Sequence, residues 1–118
     1  MFAEAIHAGL AAGERTLSKN EARDVISGGL LRFLIEYFGS GDLEKCAEHL
    51  YYVAKASDAL SGTERDTCLS SLMFCTRLDG QTDPEVVKRQ ICAFLDIDEG
   101  LLEKIIAVYG TKRPEGRC

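Results

Sequence analysis

Cys46 and His49 stand three residues apart in the stretch "DLEKCAEHL". On a helix that spacing puts both on one face, and a thiol beside an imidazole is the pair a thiolate nucleophile needs. Such a nucleophile also needs an orienting group and oxyanion donors, and the sequence names neither. The five cysteines, at 46, 68, 75, 92 and 118, are odd in number and contain no CxxC pair, so neither a disulfide framework nor a zinc ribbon is expected. Cys68 and Cys75 lie two helical turns apart, roughly 10 Å by the helical rise, too far to share one tetrahedral zinc. The expectation is small buried hydrophobes in a reducing compartment, with no metal and no cofactor. A thiol- or metal-dependent enzyme using Cys46 and His49 is the alternative.

Other constellations are weaker. Gly28-Gly29 lacks the Lys-Ser/Thr of a phosphate-cradling loop, and a close helix crossing explains these glycines better. Asp96, Asp98 and Glu99 lack calcium-loop spacing and read as a helix cap. His7, near Glu4, falls on an exposed turn. Catalysis is not expected.

The residues must be positioned by helices. Ser18-Lys-Asn-Glu21 fits a capping box opening a helix to about Phe38, ended by Gly39-Ser40-Gly41. Asp42 caps the next, to about Leu60. After Ser61-Gly62 a third, capped by Thr63, covers about 64–79. Asp83-Pro84 opens one to about Leu95. Asp98-Glu99 begins the last, whose Leu101, Leu102, Ile105, Ile106 and Tyr109 recur at three-and-four spacing to Gly110. Phe2, Ile6 and Leu10 suggest a weaker first helix. No stretch alternates with period two. The fold class is therefore all-α with about six helices, as one domain over 1–110 and a polar tail over 111–118.

Charge and hydropathy narrow the class. The net charge of −5 and pI near 5.0 argue against a nucleic-acid binder, which needs clustered Lys and Arg. The basic cluster Lys112, Arg113 and Arg117 sits in the tail. An apolar fraction of 46% with 28% charged residues is that of a soluble globular chain. No apolar run is long enough to span a bilayer. The start carries Glu4 and no early basic residue, so it reads as neither signal nor transit peptide. The expected compartment is the cytoplasm, with mitochondrial import by an internal signal left open.

The stretch "LLRFLIEYF", 30–38, is apolar nearly all round, and such a helix must be covered on two sides. Counted from Asp42, apolar residues stand at Leu30, Phe33, Tyr37, Cys46, Leu50 and Val53; the same offsets from Asp83 give Ser71, Phe74, Leu78, Val87, Ile91 and Phe94. The first copy, over about 27–57, resembles a tetratricopeptide repeat, its turn and second helix carried by Gly41-Asp42-Leu43-Glu44-Lys45-Cys46-Ala47-Glu48. It departs from that family in having Leu34 at the usual small glycine, no closing proline, and a 41-residue offset against about 34. The resemblance implies stacked helix-turn-helix pairs with a concave face carrying Gly28, Leu31, Ile35 and Phe38. That face would be an apolar groove for an amphipathic helix or for a subunit of a larger assembly. "GDLEKCAEHL" is also similar to the corresponding stretch of the presequence receptors of the mitochondrial outer membrane, which bind amphipathic helices. Self-association through the same strip is the further expectation, and cover by another helix of the same chain remains open.

Overall fold

The capping box at Ser18 forms as the sequence predicts. Its Oγ accepts from the Glu21 N–H at 3.1 Å, and Glu21 Oε1 accepts from the Ser18 N–H at 2.9 Å. Asp42 accepts from Lys45 N–H at 3.2 Å, Asp83 from Glu85 N–H at 3.0 Å, and Asp98 from Leu101 N–H at 3.0 Å. Each satisfies an N-terminal donor that the helix itself leaves orphaned.

The computed structural model describes residues 2–78 and 83–111. Among them are six helices and no strand: α1 (Phe2–Ala12), α2 (Lys19–Ile35), α3 (Leu43–Ser57), α4 (Gly62–Cys75), α5 (Pro84–Leu95) and α6 (Glu99–Thr111). The fold is all-α. Residues 79–82, between the helix expected over 64–79 and the start at Asp83, and the tail from 112 lie outside the described residues.

Several boundaries differ from the sequence reading, and α3 ends at Ser57, short of Leu60. α4 ends at Cys75, because Thr76, Arg77 and Leu78 bond back three residues to Met73, Phe74 and Cys75 and tighten the chain. Its cap position is Ser61, with Thr63 inside the helix. At the end of α2 the chain widens into a π-turn over Glu36–Ser40. The Gly41 N–H, at a left-handed φ of 71°, donates to the Glu36 carbonyl at 2.7 Å, and Ser40 Oγ donates to that carbonyl at 3.1 Å. Glycine takes this φ without the clash a β-carbon brings.

α1 and α2 both pack against α3; α4 packs against α3 and α5; α5 and α6 lie against α2, and α6 also against the π-turn. Of the six offset positions in the first helix pair, Leu30, Phe33, Cys46, Leu50 and Val53 are buried and Tyr37 is half-buried. In the second pair, Ser71, Val87 and Ile91 are buried while Phe74, Leu78 and Phe94 are half-buried. Close crossings use small residues. A β-carbon on Gly29 would lie 2.5 Å from Val53 Cγ2, which fixes the α2–α3 contact. One on Gly9 would meet the Tyr51 carbonyl oxygen and come within 2.8 Å of Ala54 Cβ, which fixes α1 on α3. Gly28 has nothing within 4 Å of such a carbon, so the crossing expected for both glycines belongs to Gly29 alone.

Candidate functional site

Gly28, Leu31, Ile35 and Phe38, the strip the sequence offers to a partner, are all half-buried. At its Phe38 end the strip meets α5 and α6 of the same chain. Lys88 Nζ, from α5, lies 5.3 Å from the centre of the Phe38 ring, a cation–π arrangement. The same ammonium pairs with Glu85 at 2.8 Å and with Glu103 of α6 at 2.9 Å. Its pKa is raised, first by the hydrogen bond it donates to Glu85 and then by the one it donates to Glu103. Gly39 sits against Tyr109 and Ile106 of α6. Tyr109 donates its hydroxyl to Glu36 Oε2 at 2.9 Å, while Ser40 donates to Glu36 Oε1 at 2.7 Å. Glu36 and Lys88 are thus two nearly buried charges, each satisfied, at the place where α6 docks.

Cys46 and His49 differ in burial. Cys46 is fully buried, and its thiol faces the Phe33 carbonyl oxygen at 3.8 Å. Burial, with Glu36 and Asp42 nearby, pushes its pKa up to about 12. At neutral pH only about one molecule in 10⁵ would carry the thiolate that nucleophilic chemistry requires. His49 is half-buried, and burial lowers its pKa, favouring the neutral ring. Among the described residues no group of three or more His, Cys, Asp or Glu is placed to hold a metal ion. The consequence is measurable. Native Cys46 should react with an alkylating reagent at least about a thousandfold slower than a free cysteine peptide, since reaction must wait for the core to open. Labelling of Cys46 at the peptide rate would restore the thiol-enzyme alternative.

A polar depression of about 400 Å³ lies between the α3–α4 turn and Arg15, lined also by Asp58, Arg65 and Asp66. Asp58 pairs with Arg15 at 2.5 Å and lies 3.8 Å from an Arg65 Nη, while the Arg65 Nε is buried with no hydrogen-bond partner among the described residues. It is a braced turn joining the α1–α2 connection to α4.

Among the described residues, two of the most exposed large apolar side chains share one helix, α6. Leu101 and Val108 are each 53% exposed, and with half-buried Ile105 they form a stripe about a quarter-turn around the helix from buried Leu102. A depression of about 370 Å³ lies there, lined by Lys104, Ile105, Val108 and Tyr109. The sequence signal was the doublets Leu101-Leu102 and Ile105-Ile106, which place apolar residues on two faces of one helix. No helix among the described residues is long and apolar enough to cross a membrane. No protein-family model, curated protein or solved structure matches the chain.

Proposed function

We propose that the chain is a non-catalytic protein-interaction module or small subunit of an assembly, and that a partner lays an amphipathic helix along the outer face of α6. The observation supporting this reading is the exposure of Leu101 and Val108, with half-buried Ile105 between them, on a helix whose Leu102 is fully buried. Apolar anchors at i, i+4 and i+7 match what a facing amphipathic helix reads. Lys104 at the edge of the depression suits a carboxylate on that helix. A presequence-type helix is one member of this ligand class. In this reading Gly28, Leu31, Ile35 and Phe38 serve mainly the packing of the chain on itself, and Cys46 and His49 are structural.

Leu101→Glu and Val108→Glu test the reading. Because both positions face outward, each variant should keep its helical circular dichroism and stay within about 0.5 kcal/mol of the parent. Pull-down from the source cells is expected to recover a subunit with the parent chain and to lose it with each variant. Equal recovery with parent and variants would overturn the reading.

A further inference from the structure

α6 is joined to α5 by only residues 96–98, and the first of them, Asp96, is held in the left-handed region at φ 57° and ψ 48°. The turn is closed by the Asp96 N–H donating to the Ala93 carbonyl at 3.3 Å and the Ile97 N–H to the Cys92 carbonyl at 3.0 Å, and its strain is confined to the one left-handed residue, at a cost smaller for Asp than for most residues with a β-carbon. Short hinge loops under strain favour exchange of the element beyond them.

What holds α6 is divided cleanly by this turn. The seat lies wholly before it: Glu36 and Gly39 in the π-turn, Phe38 beside them, and Lys88 on α5. The groups that fill the seat lie wholly after it: Glu103, Ile106 and Tyr109. Two nearly buried charges in one seat, Glu36 and Lys88, set which helix fits and in what register more than they stabilise. An α6 from a second copy satisfies the same seat with the same bonds. Only the turn at 96–98 differs between the two arrangements, which is the condition for domain swapping.

The sequence through the turn is compatible with its opening. Leu95-Asp96-Ile97-Asp98-Glu99 contains no proline.

We propose that α6 is exchanged between two copies of the chain: the turn at 96–98 opens, α5 and α6 run on as one helix, and each α6 docks on the α2, π-turn and α5 surface of the other copy. The exchange uses the inner face of α6, so it stands apart from the outer-face reading above.

The test uses two charge-reversed full-length chains, Lys88→Glu and Glu103→Lys. Alone, each mismatches its own seat. Mixed during refolding, exchange of α6 matches both seats at once. Light scattering after size exclusion should then show a one-to-one heterodimer from the mixture. It should survive when both chains also carry Leu101→Glu, which removes outer-face association. If the mixture gives only monomers, or the dimer vanishes with Leu101→Glu, exchange is overturned. Hinge variants keep the question decidable should a reversed chain fail to fold. Asp96→Gly relieves the turn and should lower the dimer fraction of the otherwise unaltered chain about tenfold, whereas Asp96→Val tightens the strain and should raise it about tenfold. A chain that stays monomeric with Asp96→Val at its highest soluble concentration would equally overturn the proposal.

Discussion

Phe33→Ala is expected to lower the unfolding free energy by about 3–5 kcal/mol, a large part of what a domain of this size holds in reserve. Phe33 is the bulkiest of the fully buried side chains. Its ring meets Phe2 edge-on at 5.6 Å between centroids and Tyr37 at 5.9 Å, so it ties α1 to both α2 and the π-turn. Its backbone carbonyl also faces the Cys46 thiol from α3. Removing the ring leaves a cavity bounded by elements fixed elsewhere, by Gly9 against α3 and Gly29 against Val53, and these limit its collapse. The matching position of the second helix pair provides an internal comparison. Phe74 stands at the same offset from Asp83 as Phe33 does from Asp42, but it is half-buried, with the Arg77 guanidinium 5.2 Å from its ring centre. Phe74→Ala should therefore cost less than half as much. Urea midpoints for the two variants, at unchanged slope, give the measurement. Equal costs would mean that the two helix pairs are energetically equivalent copies, and a loss below 1 kcal/mol for Phe33→Ala would contradict the packing described.

The fold was legible because helix punctuation is local. Ser18 with Glu21, Asp42, Asp83-Pro84 and Asp98 each mark a start by hydrogen bonds that span only a few residues, and those bonds are all present. The π-turn was not legible. It depends on Glu36 turning inward to accept from Ser40 and from Tyr109, a residue 73 positions away, and no local pattern encodes a partner that distant. Spacing alone likewise identified a doubly apolar helix at 30–38 without saying what would meet it. Part of the answer is α6, whose own doublets Leu101-Leu102 and Ile105-Ile106 carry the same ambiguity. Once one face of α6 docks against the π-turn, the other is left outward. The exposed Leu101 and Val108 of α6 thus stand beside the half-buried strip that periodicity predicts, as a second apolar surface. Gly9 was silent for a different reason. A glycine in a weak terminal helix reads as a loss of propensity, and only the nearby Tyr51 carbonyl shows that it permits contact.

Stability should also collapse in mild alkali, and the buried cysteines are the cause. Cys46 and Cys68 have their pKa values pushed up to about 12, Cys75 is pushed higher still, and Cys92 is raised. In every case burial is the leading cause, and Cys75 is raised further by Cys46 and Cys68 beside it. In the unfolded chain these thiols ionise near their ordinary value of 9.0. Between about pH 9 and 12 the folded protein therefore keeps protons that the unfolded chain has released, and the equilibrium shifts toward unfolding as pH rises. Each such thiol contributes about 1.4 kcal/mol per pH unit in that window. With three strongly shifted thiols the slope approaches 4 kcal/mol per unit, enough to exhaust a typical reserve of 5–15 kcal/mol within a few units. Lys88 acts in the same direction: its pKa is raised by Glu85 and Glu103, so its contribution is held below its ordinary value and lost as pH climbs through the raised one. Below pH 8 the thiols stay protonated in both states and add no slope. Urea midpoints taken under reducing conditions from pH 7.5 to 10.5 should stay level and then fall steeply. Cys75→Ala should start lower, because it leaves a cavity, yet fall about 1.4 kcal/mol per unit less steeply. A curve that stays level to pH 10.5 would mean that water reaches these sulfurs in the folded chain, and the same water would make Cys46 open to the chemistry its burial denies it.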